Sequence, residues 1–224
     1  MAQSVPEVML GTLNLPRMLA RHEMRRNMKQ KQEQPLFYPP GGILIWMILS
    51  IEMLTFIPAL IAFFAYRSQE LELFIRASKT LSLSIGTINT AILIIGGWFV
   101  AEGMRNLRLN RKDRASSMVW LGALAGIAFL FLKGFEYFQK LEAGYGLNYD
   151  TFFTMYWLIT GFHFLHVVVG TVLLVIAANG ITGGRYTQSD HEDAETIGVF
   201  WHMCDLIWIL VFPALYVLGR GGFS

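Results

Sequence analysis

One cysteine, Cys204, occurs in 224 residues. A disulfide within the chain is therefore impossible, and a zinc or iron–sulfur centre built on thiolates has no ligand set to draw on. Charge is scarce too. Only 15% of residues are Asp, Glu, Lys or Arg, against 54% hydrophobic, and the mean hydropathy is +0.45. That balance suits a polytopic membrane protein and argues against a soluble globule. There is no long internal repeat, no low-complexity tract and no glycine loop shaped to cradle phosphate, and nothing points to a nucleic-acid partner. Residues 1–40 lack the apolar core of a cleavable signal peptide, so the first apolar run is expected to direct its own insertion.

What is present is hydrophobic length. A helix crossing a bilayer needs about 20 mostly apolar residues, and five runs qualify, at about 43–66, 80–104, 117–138, 152–178 and 197–219. The expected fold is all-α, a polytopic five-transmembrane-helix bundle. It divides into a basic N-terminal tail, 1–40, and a membrane domain, 41–224. The tail carries Leu13, Leu15, Met18 and Leu19 beside its basic residues. It reads either as a solvated segment or as a short helix lying on the anionic inner leaflet or a partner. "FYPPGG" (Phe37 to Gly42) turns the chain into the membrane.

The basic residues set the orientation. Six lie in the tail, five in the second connection (Arg105, Arg108, Arg111, Lys112, Arg114) and one in the fourth (Arg185), twelve on one side of a five-span topology. Arg67, Arg76, Lys79, Lys133, Lys140 and Arg220 make six on the other. The positive-inside rule puts the N-terminus in the cytoplasm and the C-terminus outside. Trp46 and Tyr66 fall where aromatic belts lie. Pro58 should kink the first span or free a carbonyl, and Gly122 with Gly126 forms a GxxxG pair suited to close helix packing.

Ionisable groups at membrane depth cost a few kcal/mol each and need a reason. Glu52 sits near the middle of the first span with no base within a turn, so it must find a partner on another helix or stay protonated. It reads as a proton-handling carboxyl or as a protonated group making one interhelical hydrogen bond. Glu136 lies near the outer end of the third span. His163 and His166 lie three residues apart in the fourth, and His202 and Asp205 likewise in the fifth, so each pair shares a helix face. Asn89 and Thr90 add neutral polarity to the second span. Trp201 and Trp208 flank Asp205, and an indole N–H donating to its carboxylate is geometrically plausible. Three readings of the histidine and aspartate set stay open: a two-His, one-carboxylate metal site, haem ligation by a histidine, or a buried polar clasp joining the fourth and fifth spans. A transporter built around Glu52 is a further class, although no paired broken helices mark such a site.

Several stretches also resemble one known family. "TGFHFLHVVVG" is similar to a helix signature of subunit III of the haem-copper oxidases, and "WHMCDLIWILVFPALY" to its last helix. "ILSIEMLTF", "INTAILIIGGW" and "GFEYF" are similar to the three helices before them, in order. Phe164 and Met203–Cys204 depart from the commoner oxidase wording. "GRY" and the wording around Met203 resemble the accessory branch associated with nitric-oxide reductases. The resemblance implies a V-shaped cleft between helices 1–2 and 3–5 that holds phospholipid. It implies no cofactor on this chain, with haem and copper in partner subunits, and packing on a catalytic subunit I in a bacterial plasma membrane. By motif position, Glu52 is the cleft carboxyl. Glu136, His163, His166, His202 and Asp205 are structural or lipid-contacting. The implied function is a non-catalytic subunit of a respiratory terminal oxidase. The alternatives are an accessory subunit of a nitric-oxide reductase, and a small membrane enzyme with a His/carboxylate metal site.

Overall fold

The computed structural model describes residues 42–220, so the expectations for the basic tail and for most of "FYPPGG" lie outside the described residues. The described residues are helical, joined by short turns. They form α1 (Gly42–Gln69), α2 (Leu71–Thr80), α3 (Leu83–Arg108), α4 (Lys112–Glu142), α5 (Thr151–Thr182) and α6 (Glu192–Phe212). A π-helical turn, Pro213–Val217, and a 3₁₀ turn, Leu218–Arg220, finish the described residues. Five helices are long and apolar enough to cross a membrane, α1, α3, α4, α5, and α6 with its two terminal turns.

The helices overrun the apolar runs because polar residues finish them. Asp150 caps α5 by accepting from the Phe153 amide at 2.7 Å, and Ser82 caps α3 through the Ile85 amide. Glu192, Asp193 and Glu195 crowd the first turn of α6, and Arg105 and Arg108 the last turn of α3, each matched to the sign of the helix dipole there. The tight α3–α4 link places Asn110 at φ 58°, a left-handed conformation that asparagine tolerates. Helix α1 runs unbroken through Pro58, whose missing N–H leaves the Leu54 carbonyl without its helical donor.

Helix α2 occupies what reads in the sequence as a mere connection. Only Glu70 separates it from α1. Its charged residues point outward, with Glu72 and Arg76 paired 3.4 Å apart, while Phe74, Ala77 and Ser78 are buried. Phe74 meets Phe63 and Phe152 edge-on. Lys140 donates to the carbonyl of Thr80 and Arg220 to that of Leu81, so two cations hold the carbonyl end of α2.

Small residues set the helix pairing. A Cβ on Gly122 would stand 2.5 Å from Val100 Cγ2, and one on Gly103 would stand 2.7 Å from Val119 Cγ2, so α3 and α4 meet backbone to backbone. Gly126, one turn on, faces Thr171 of α5 and Trp201 of α6 instead. Helix α4 packs on α5, where the Ser116 and Thr182 hydroxyls lie 2.7 Å apart. Helix α6 packs on α5, α3 and α1.

The five-span, all-α architecture is as expected, but its division differs from the one the resemblance implies. The second span, α3, does not stand with the first. It belongs with α4 and α6, while α1 leans on α5 and α6 and among the described residues makes at most a marginal contact with α3. The glycines of α3 explain this, since their contacts are all with α4 and with α6 and its terminal turn.

Candidate functional site

The polar residues at membrane depth separate into three groups. In the first, α5 carries His166 toward α1, where its Nε2 lies 3.0 Å from Glu52 Oε2. The contact is short but not aligned as a directed hydrogen bond. His166 Nδ1 lies 2.8 Å from the Phe162 carbonyl, which only accepts, so Nδ1 carries a hydrogen and Nε2 is the nitrogen offered to the carboxyl. Phe56 and Phe162 pack edge-on against this imidazole. Glu52 thus has the partner on another helix that its isolation in the sequence demanded.

The second group lies toward the arginine-rich end. His202 Nδ1 and Asp205 Oδ2 are 3.5 Å apart on one face of α6, and the carboxylate is pressed against Gly97 of α3, in space a Cβ would take. Above them Arg108 Nε reaches Glu195 Oε1 at 2.5 Å, and Glu195 also meets His191 at 3.2 Å.

The third group, toward the α2 end, is the most enclosed, and of its members only Glu136 stands out in the sequence. Lys133 and Glu136 are both 1% exposed and form an ion pair of 3.0 Å one turn apart on α4. Lys133 Nζ also donates to the hydroxyls of Tyr156, at 3.1 Å, and Tyr216, at 2.5 Å. The Tyr216 hydroxyl in turn donates to the Glu136 carboxylate at 2.8 Å. The rings of Tyr137, Tyr156, Trp208 and Tyr216 surround the ammonium at about 5 Å. The π-helical turn that begins at Pro213 carries Tyr216 into this chamber. One charged group per helix end reads as a loop residue in sequence. The signal for Lys133 was its i, i+3 spacing from Glu136 within an apolar run.

His163 joins none of these groups. It is fully buried, stacked on Trp208 at 5.1 Å and edge-on to Phe129, and neither of its ring nitrogens has a hydrogen-bond partner. The amide of Asn89 is likewise buried and unpartnered. Among the described residues no hydrogen bond or ion pair joins His163 or His166 to His202 or Asp205, so the clasp between the fourth and fifth spans does not form. The two histidines point to different neighbours: His166 to α1, His163 to an aromatic pocket. Neither indole serves Asp205. Trp208 Nε1 donates to Thr90 Oγ1 on α3 at 3.0 Å, and Trp201 Nε1 is buried without a partner. Both tryptophans are buried in the core, away from any interface belt. Cys204 is a buried packing residue. Among the described residues no three of His, Cys, Asp and Glu converge to hold a metal ion.

This pattern of paired intramembrane groups accompanies a clear kinship. The family model described as "Cytochrome c oxidase subunit III" matches residues 41–220. The chain belongs to that family. It is similar to cytochrome c oxidase subunit 3 of Thermostichus vulcanus, 32% identical over 62% of this chain and 68% of the relative. It is also similar to cytochrome c oxidase subunit 3 of Synechocystis, 29% identical over 79% of this chain and 74% of the relative. A third relative, the haem-copper oxidase subunit I+III of Aeropyrum pernix, is 29% identical over 78% of this chain, which covers 22% of that longer protein. The matched region takes in all five spans, so Glu52, Glu136 and both histidine-bearing helices lie inside the subunit III region. The chain is therefore a subunit III of a haem-copper oxidase, and neither the metal-enzyme nor the transporter reading is favoured.

Proposed function

We propose that this subunit III is a non-catalytic part of a respiratory terminal oxidase. It packs on a haem-bearing catalytic subunit I in the bacterial plasma membrane with its arginine-rich end in the cytoplasm. The single observation that carries the reading is the match of the family to the whole bundle, 41–220. The subunit I+III relative supports the partnership, since a fused chain keeps both parts together. Haem and copper belong to the partner subunits in this reading. The charge asymmetry supports the orientation. Lys133 lies buried inside the bundle, so the outer side keeps five basic residues of its six, against twelve inside.

The packing supports phospholipid binding at a different place from the cleft the resemblance implies. Helices α1 and α3 each pack on α6 but at most marginally on one another, an arrangement that favours a groove along α6. His202, Leu206, Ile209 and Leu210 form an exposed stripe on that helix. At the arginine-rich end a hollow of about 260 Å³ is lined by Arg105, Arg108, Gly198 and His202, among others. An acyl chain would lie along the stripe, with its phosphate between Arg105 and Arg108. Arg105→Ala with Arg108→Ala should lower the phospholipid retained by the purified complex, measured by native mass spectrometry. Unchanged retention would remove the groove from the account.

Glu52, the carboxyl that the resemblance places in a cleft, is assigned a role at the contact between α1 and α5. Paired with His166, it ties the loosely packed α1 to α5 and handles a proton shared across that contact. Glu52→Gln is expected to leave assembly intact and to change turnover or the loss of activity during turnover. Failure to assemble would make it a purely structural group.

A further inference from the structure

The oxidisable rings of the α2 end are arranged as a line. Tyr137 on α4 and Trp157 on α5 are half-buried on the membrane-spanning surface, their centroids 4.7 Å apart. Trp157 Nε1 donates to the backbone carbonyl of Tyr145 at 2.9 Å. Tyr145 meets Tyr149 edge-on at 5.0 Å, and Tyr149 is 58% exposed in the α4–α5 connection, beyond the ends of both helices. Inward, Tyr137 meets Tyr156 at 6.1 Å, and Tyr156 and Tyr216 share the Lys133 ammonium. Packing alone explains buried rings. Two of the rings also place a hydrogen-bond donor, Trp157 on the Tyr145 carbonyl and Tyr137 on Thr160 Oγ1, and Phe153 and Phe164 pack against the line, yet the four readily oxidised rings still follow one another from the lipid-facing pair to water.

We propose that Tyr137, Trp157, Tyr145 and Tyr149 form a hole-transfer relay that carries one-electron oxidation from the membrane to the aqueous surface. The oxidant is a lipid peroxyl radical. An electron passes from the Tyr137–Trp157 pair to the peroxyl, which takes a proton from interfacial water and becomes a hydroperoxide. Tyr145 and then Tyr149 replace the electron. The Tyr149 phenol releases its proton to water and is left as a neutral phenoxyl radical. A water-soluble reductant of the thiol or ascorbate class returns a hydrogen atom to it and is itself oxidised by one electron. The net change is reduction of one peroxyl radical to hydroperoxide at the cost of that reductant. Trp98 and Trp120 are also exposed on the membrane-spanning surface, but neither has a tyrosine or tryptophan ring against it among the described residues, so they provide an internal comparison.

The test uses the purified complex in unsaturated phospholipid vesicles, with a lipid-soluble azo initiator as the peroxyl source. A water-soluble nitroxide traps ring radicals, and mass spectrometry maps the adducts. Tyr149 should carry the adduct in the wild-type protein. The yield should fall several-fold in Trp157→Phe and in Tyr145→Phe, while oxidation of Trp98 and Trp120 stays the same. If one variant does not assemble, the other interrupts the same line. Equal labelling of Tyr149 in the variants would show direct attack from water and overturn the relay, as would an unlabelled Tyr149 beside an oxidised Tyr137. The readout needs no electron transfer to a partner, so its failure would leave the subunit III reading untouched.

Discussion

At the scale of single residues, the buried Lys133–Glu136 pair decides most. Both groups are cut off from solvent, and each has partners besides the other, Tyr156 and Tyr216 for the ammonium and Tyr216 for the carboxylate. Removing one charge leaves its partner buried and unpaired, which costs about 3–5 kcal/mol, whereas replacing both with apolar residues is often neutral. Lys133→Met should therefore lower the thermal stability of the detergent-solubilised complex markedly, and Lys133→Met with Glu136→Leu should restore much of the loss. Tyr216→Phe should cost less, about 1–3 kcal/mol, by stripping one hydroxyl from two charged neighbours. The sequence made Glu52 legible because no base stands within a turn of it. It hid Lys133 because a lysine near the end of an apolar run looks like a loop residue. It misled about His163, whose helical spacing from His166 suggested joint action. Three residues turn a side chain by some 60° from true overlap on a 3.6-residue helix, and here that rotation sends one imidazole to α1 and the other to Trp208.

At the scale of elements, the five spans could be read from hydrophobic length alone, since bilayer thickness sets that length. Their pairing could not, because in lipid it is decided by where backbones approach, and single glycines fix that only in three dimensions. Gly122 and Gly126 illustrate the limit. The GxxxG spacing is visible, yet one glycine serves α3 and the other α5 and α6. Gly122→Leu is expected to separate α3 from α4 and reduce the amount of folded subunit in the membrane, measured by detergent-resistant yield, whereas Gly161→Leu, where added atoms meet open space, should be tolerated. Helix α2 was invisible for another reason. Ten residues with a narrow apolar face fall below the length of a span, and its stability comes from Phe74 in an aromatic cluster and from Lys140 and Arg220 on its terminal carbonyls. Lys140→Met should expose α2 to proteolysis while leaving the five spans in place.

At the scale of the whole molecule, the arrangement reads as a carrier of contacts. Three polar groups tie α1 to α5, join α6 to α3, and lock α4, α5 and the final described turn together, the last of them enclosed. The long face of α1 and the groove beside it remain open for lipid or a larger partner. Orientation can be checked through single cysteines introduced in a background where Cys204 is replaced by alanine. Cysteine at Ser189 should react with a membrane-impermeant maleimide only from the cytoplasmic side, and cysteine at Ser68 only from outside. The central claim is membership of a haem-copper oxidase. A tagged copy expressed in its native membrane, extracted in mild detergent and captured by its tag, tests it directly. The account predicts that a larger subunit with a haem absorption band comes with the chain in a fixed ratio. Recovery of the chain alone, folded and without haem, would contradict it.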